Sequence, residues 1–116
     1  MSENGAPSVN TERKEGVLYV GVDLGTSRTA VSASNGVRES VLSFVGYPKD
    51  VVSMKLLKRE RIFGAEAQNR RLSLRLYRPL EHGVIKGSAT KDQNYEENLK
   101  AARDLVKHAI ELARPM

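Results

Sequence analysis

Residues 21–31 read Gly-Val-Asp-Leu-Gly-Thr-Ser-Arg-Thr-Ala-Val. Asp23, Gly25, Thr26, Ser27 and Arg28 stand here in the order acid, glycine, hydroxyl, hydroxyl, cation, at the joint of two β-prone runs. Each type suits one part of a phosphate site. Glycine tolerates unusual backbone angles and lets an oxyanion approach main-chain N–H groups. The hydroxyls of Thr26 and Ser27 can donate to phosphate oxygens, and Arg28 adds positive charge. Asp23 repels phosphate but can hold a hydrated Mg²⁺, which keeps its waters and bridges to phosphate. The same residues also suit an ordinary hairpin turn, with Arg28 a solvent-facing strand residue. Taken alone, the stretch leaves both readings open. The chain has neither a G-x-x-x-x-G-K-[ST] loop nor a G-x-G-x-x-G fingerprint.

The flanking elements must hold that turn. Val17–Gly25 is rich in β-branched residues and bounded by glycines, which predicts a buried strand. Arg28–Ser34 predicts a second, with Thr29, Val31 and Ala33 on one face and Ala30, Ser32 and Ser34 on the other. Asn35-Gly36 is a two-residue hairpin signal. Val37–Tyr47 reads as a third strand, broken near Glu39, so the opening residues predict an antiparallel meander. Val51–Gly64 reads as short strands, or a strand pair around Lys58–Arg61. Ala65–Leu76 reads as a short helix, Leu80–Ile85 as a short strand and Lys86–Asn94 as a polar loop. From Glu96 to Ala113, Leu99, Ala102, Leu105, Val106, Ala109, Ile110 and Ala113 recur at helical spacing, with Asp104 and the lysines largely off the stripe. A mixed sheet packed on this helix is the expected architecture.

The 116-residue chain is long enough for one small domain, and 40% hydrophobic content supports a modest core. The absence of cysteine excludes disulfides and thiolate metal sites. No apolar run approaches the roughly 18 residues needed to span a membrane. The first 15 residues are polar, without the apolar stretch of a secretory signal, and are expected to form a disordered tail. A cytoplasmic setting without membrane insertion is expected. Net charge is +5. Nine Lys or Arg against three acids lie between Lys49 and Arg78, a basic face that suits an acidic protein surface, a nucleotide or nucleic acid. Stacking aromatics are sparse, at 5% of the chain, which argues against a single-strand nucleic-acid platform.

Three stretches, in order, carry a family resemblance. Tyr19–Ser34 resembles the first phosphate loop of the actin, Hsp70 and sugar-kinase superfamily. Phe63–Arg71 (FGAEAQNRR) is similar to actin's glycine-acid-glutamate-alanine-glutamine segment, with Ala65 where actin has an acid. Tyr77–Ile85 (YRPLEHGVI) is similar to its tyrosine-proline-isoleucine-glutamate-histidine-glycine segment, with Arg78 inserted. The tract from Val45 to Ala67 most resembles bacterial actins of the MamK type, which organise magnetosome chains.

This resemblance implies an α/β fold: a partial actin-like (ribonuclease-H-like) ATPase lobe, with an antiparallel meander, helices and a small outer subdomain. It implies a phosphate-loop meander at 16–48, the outer subdomain at 49–78, and a return segment with the terminal helix at 79–116. ATP and Mg²⁺ are the implied cofactors. Asp23 would lie near the metal, holding it through water, and Gly25, Thr26, Ser27 and Arg28 would touch the phosphates. Glu81 and His82 would sit near the nucleotide cleft, although many bacterial relatives have Asp where His82 stands, and His82 also suits an ordinary turn. The implied protein is a filament-forming cytoskeletal ATPase whose partners are itself, a full-length bacterial actin, or an acidic surface on magnetosomes. The match covers the first third of an actin-like protein. No catalytic residue is therefore assigned, and these 116 residues alone are expected not to hydrolyse ATP, whether as a fragment or as a truncated paralogue. A non-catalytic protein that caps filaments is the alternative, and a basic nucleic-acid-binding module the weaker one.

Overall fold

The computed structural model describes residues 16–89 and 93–114. The expected tail lies outside them, as do residues 90–92 of the polar loop. Alternation at the start produces β1 (Val20–Leu24), β2 (Arg28–Ala33) and β3 (Arg38–Leu42). They form an antiparallel sheet in chain order, with Val22 opposite Val31 and Val31 opposite Glu39. Thr29 and Val31 face inward and are buried, while Arg28, Ala30 and Ser32 face outward. At the β2–β3 turn, Asn35 Oδ1 accepts from the Val37 N–H at 3.0 Å. Asn35 Nδ2 donates to the Ala113 carbonyl at 2.8 Å and ties the turn to the last helix.

The third predicted strand breaks at Ser43–Phe44 rather than near Glu39, because there the chain leaves one sheet for another. β4 (Val45–Pro48) is the centre of a second antiparallel sheet, flanked by β5 (Ile62–Phe63) and β6 (Leu74–Tyr77). Of the short strands predicted over Val51–Gly64, β5 forms, whereas Val51–Leu57 is helix α1 and no strand pair forms around Lys58–Arg61. Asp50 overrides the β preference of Val51 and Val52: its carboxylate accepts from the Ser53 N–H at 2.8 Å and caps the helix. Ser53 and Leu57, four residues apart, are its buried positions. Lys58, with φ 58°, ends it.

The predicted helix over Ala65–Leu76 is shorter. Helix α2 (Gly64–Asn69) gives way to a 3-10 turn at Arg71–Ser73 and then to β6, whose Leu-Arg-Leu-Tyr alternates inside and outside. Gly64 has φ +68°, and a Cβ there would meet Val41 Cγ2 at 2.5 Å, so the start of α2 packs directly on a side chain of β3. The return strand is a small hairpin, β7 (Leu80–Glu81) and β8 (Val84–Ile85), turning through His82 and Gly83, both at positive φ. Among the described residues the strands make three antiparallel sheets, where a mixed sheet was expected.

Helix α3 (Gln93–Ala113) begins three residues earlier than its apolar stripe predicts. Its C-terminal end buries Ala109 and Ala113 against Val31, with Val20 and Val22 alongside. Its middle buries Ala101 and Leu105 against Val45 of the second sheet. Asp104, assigned to the polar side, is buried, while Ile110 of the stripe is exposed. A separate cluster of Leu57, Ile62, Ala67 and Leu74 forms the outer core.

Candidate functional site

The turn between β1 and β2 is held from beneath. The Ser43 N–H donates to the Ser27 carbonyl at 2.9 Å. The Ser43 hydroxyl donates to the Gly25 carbonyl at 2.7 Å. A hydroxyl has one proton, so in the 2.9 Å contact between Thr29 Oγ1 and Ser43 Oγ the donor is Thr29. Both hydroxyls are buried, Ser43 at 0% exposure and Thr29 at 1%. They form a fully paired polar chain in the core, Thr29 to Ser43 to Gly25. Gly25 does not use a left-handed angle, contrary to the conformational reason given for it from the sequence. A Cβ there would lie 2.4 Å from the Arg28 carbonyl oxygen, so glycine is required because the turn folds back on itself.

Above this support the donors are unused. Among the described residues, no hydrogen bond takes up the amide N–H or hydroxyl of Thr26 or Ser27. Asp23 projects from the exposed face of the first sheet and has no ion pair among the described residues. It lines an open hollow of about 640 Å³ with Gly21, Ala30, Ser32, Arg38 and Ser40. Arg28 lies on the same face, its Nη1 donating to Ser40 Oγ at 3.3 Å. None of Gly25, Thr26, Ser27 and Arg28 lines the hollow that Asp23 lines; two free N–H groups, two hydroxyls and a guanidinium, with a carboxylate on the same face of the sheet as the guanidinium, are groups of the kind that bind a phosphate chain with a hydrated cation.

Glu81 and His82 stand apart, on the exposed β7–β8 hairpin. Neither shares a hydrogen bond or ion pair with Asp23 or the turn among the described residues. The hairpin approaches the site through its other strand: Ile85 and Leu24 line one apolar groove with Leu99, Ala102 and Val106 of α3.

A second polar centre joins the outer sheet to α3. Asp104 accepts from the Tyr47 hydroxyl at 2.6 Å and from Lys100 Nζ at 3.0 Å, and forms an ion pair with Arg61, whose Nε lies 3.3 Å away. Burial acts to raise its pKa. The hydrogen bonds from Tyr47 and Lys100 and the charges of Lys100 and Arg61 outweigh burial and hold the carboxyl below the usual carboxylate range. Burial, reinforced by Asp104, pushes the Tyr47 hydroxyl far up, so Tyr47 stays a neutral donor. Lys100 also lies 4.1 Å from the centre of the Tyr47 ring. Beside this centre, His108 stacks on Phe63 at 4.1 Å and 6°. Of the basic face, Arg59 and Arg70 pair with Glu66, and Arg61 pairs with Asp104.

Ser43, Thr29 and Asp104 were not singled out from the sequence. A lone serine in the apolar run Val-Leu-Ser-Phe-Val was a signal for the first. Tyr47 and Asp104 are 57 positions apart and gave none.

No protein-family model matches the chain. Over 98 residues it is 42% identical to the actin-like protein MamK of Magnetospirillum gryphiswaldense, a match covering 84% of this chain and 26% of that protein. The identity to the MamK of Paramagnetospirillum magneticum is 41% over the same length. The chain also superposes on a solved MamK double helical filament with a TM-score of 0.72 and 40% identity. That match covers 85% of this chain and 29% of the filament subunit. This chain carries part of a MamK-type actin-like fold. It spans about a quarter of the length of the MamK proteins it matches. A non-polymerising MamK mutant bound to AMPPNP is similar at a TM-score of 0.70. The partial α/β actin-like fold implied by the three motifs is thus the fold found. Among the described residues, no helix is long and apolar enough to cross a membrane.

Proposed function

We propose that this chain is part of a filament-forming, actin-like ATPase that positions magnetosomes from the cytoplasm. The turn at Gly25–Arg28 holds the ATP phosphates. The observation that carries this reading is the set of unused donors at Thr26 and Ser27, in a chain similar to a MamK bound to AMPPNP. Their N–H and hydroxyl groups bind phosphate oxygens, Arg28 adds charge, and Asp23 orients a water of the Mg²⁺. ATP, when bound, supplies the phosphoanhydride whose cleavage accompanies filament turnover. Glu81 and His82 belong to the rim of the nucleotide cleft in this reading. The meander at 16–48 forms the phosphate wall, 49–78 the outer subdomain and 79–116 the return segment and helix.

Phosphoryl transfer requires positioning and charge stabilisation from several directions, and one turn supplies one of them. The opposite wall is assigned to parts of an actin-like protein that this chain does not match.

The outer subdomain supplies a polymer contact. Val52 and Leu56, four residues apart on α1, are 76% and 71% exposed, an apolar surface flanked in sequence by Lys49, Lys55 and Lys58. It fits an apolar patch with an acidic rim on a neighbouring subunit or magnetosome protein. The same surface supports a second reading, in which the chain binds or caps full-length filaments without catalysis.

Calorimetry with Mg-ATP and co-sedimentation with a full-length MamK test these readings together. The chain alone is expected to bind Mg-ATP weakly, to release no measurable phosphate, and to pellet with MamK. Replacing Val52 and Leu56 by Asp abolishes the pelleting. Turnover by the chain alone contradicts the assignment of the opposite wall to other parts of an actin-like protein, and unchanged pelleting of the double variant removes the polymer contact. An effect on MamK filaments at substoichiometric amounts favours capping.

A further inference from the structure

We propose that Ser43 is a positioning residue for the phosphate-binding turn: its hydroxyl and its N–H together set which way the peptide groups of the turn point. The inference rests on the phosphate reading of the turn and adds the residue that shapes it.

The geometry runs through peptide planarity. In a trans peptide the N–H points opposite to the preceding carbonyl, and no peptide here is cis. Ser43 draws the Gly25 carbonyl inward with its hydroxyl at 2.7 Å and the Ser27 carbonyl inward with its N–H at 2.9 Å. The Thr26 N–H must therefore point away from Ser43, toward the outside of the turn. Thr29, donating to Ser43 from within the core, leaves the single Ser43 proton committed to Gly25. Without the Ser43 hydroxyl, the Gly25–Thr26 peptide is free to rotate and the outward direction of the Thr26 N–H is lost.

Ser43 also stands at the one point where the chain passes from the first sheet to the second. The Phe44 carbonyl, one residue on, accepts from the Gly64 N–H at 2.9 Å, and the Phe44 ring packs on the outer core of Leu57, Ile62, Ala67 and Leu74. The turn is thus fastened to the strand that leads directly into the outer subdomain.

The test uses the whole 116-residue chain and inorganic tripolyphosphate with Mg²⁺ as probe, with amide resonances as readout. In the wild type, tripolyphosphate is expected to shift the Thr26 and Ser27 amides, with weak affinity. Ser43→Ala is expected to weaken this binding about tenfold, the scale of one hydrogen bond to a charged ligand's cradle. It should also displace the Thr26 amide resonance of the free protein while leaving the resonances of β4 and α3 in place. Ser43→Cys, close in shape but a weaker donor, guards against a failure of Ser43→Ala to fold and falls between the two. Thr29→Val, which spares the bond from Ser43 to Gly25, should bind nearly as the wild type does. A role limited to core stability predicts instead that Thr29→Val is as damaging as Ser43→Ala, and that result overturns the proposal. Equal responses of wild type and Ser43→Ala overturn it alone, whereas wild-type amides that ignore tripolyphosphate remove the phosphate reading and this inference with it.

Discussion

Gly25 shows how little room a single residue has at this turn. The sequence supports a glycine there for ligand approach or for unusual angles, and the structure supplies a different cause. The Arg28 carbonyl oxygen occupies the place of a side chain at 2.4 Å. Gly25→Ala must open the turn, and we expect a loss of about 1–3 kcal/mol, the usual range for overpacking a site that cannot yield. Urea unfolding measures it, with Thr26→Ala as a reference expected to stay close to wild type. If the two variants unfold at the same urea concentration, the turn is slack and the steric account is wrong. Asp23, Thr26, Ser27 and Arg28 were legible as candidates because their chemistry lies in adjacent residues. Ser43 and Thr29 were not, because a buried hydroxyl pair is a contact between strands that side-chain type alone does not announce.

At the scale of elements, helix α1 is the instructive case. Val51 and Val52 favour strand by their stiff side chains. The Asp50 cap and the buried pair Ser53 and Leu57 decide for helix instead. The hydrogen bonds from Ser53 hold the Asp50 carboxyl below its ordinary value, as expected for a carboxylate that accepts from a helix N-terminus. Asp50→Ala is therefore expected to reduce helix content in circular dichroism and to lower the thermal midpoint, with Asp50→Asn retaining most of both. An unchanged spectrum and midpoint in Asp50→Ala would remove the cap from the explanation. β6 was also missed, although Leu74-Arg75-Leu76 alternates, because the preceding Ala and Gln residues favour helix until Arg70.

For the whole molecule, the link between the outer sheet and α3 governs the response to pH. His108 lies against Phe63, and its burial lowers its pKa below that of a free imidazole, only partly offset by Glu111. Asp104 is held low by Tyr47, Lys100 and Arg61 against the opposing effect of burial. Both groups take up protons more readily in the unfolded chain, so stability rises with pH across each titration. The His108 contribution is complete above about pH 6.5 and is lost as pH falls through its folded value. The Asp104 contribution is complete above about pH 4 and is lost as pH falls further through its own folded value. Urea midpoints should therefore decline in two stages on acidification. His108→Phe keeps the stack and removes the upper stage, and Asp104→Asn blunts the lower one. A pH profile of His108→Phe that overlays the wild type would show that the buried imidazole does not control stability.

The sequence by itself determined the first hairpin, the amphipathic α3 and the family likeness, because each rests on neighbours: β alternation, helical periodicity and motifs of contiguous residues. Tertiary structure alone decided where β3 ends, which polar groups are buried, and that the strands of the described residues divide among three sheets. Those outcomes depend on contacts between residues far apart in the chain. Ser43 reaches back to Gly25 and Thr29, and Tyr47 reaches forward to Asp104. A local pattern reports what each segment prefers, whereas a buried hydroxyl or carboxylate is tolerated only when the fold brings it a partner.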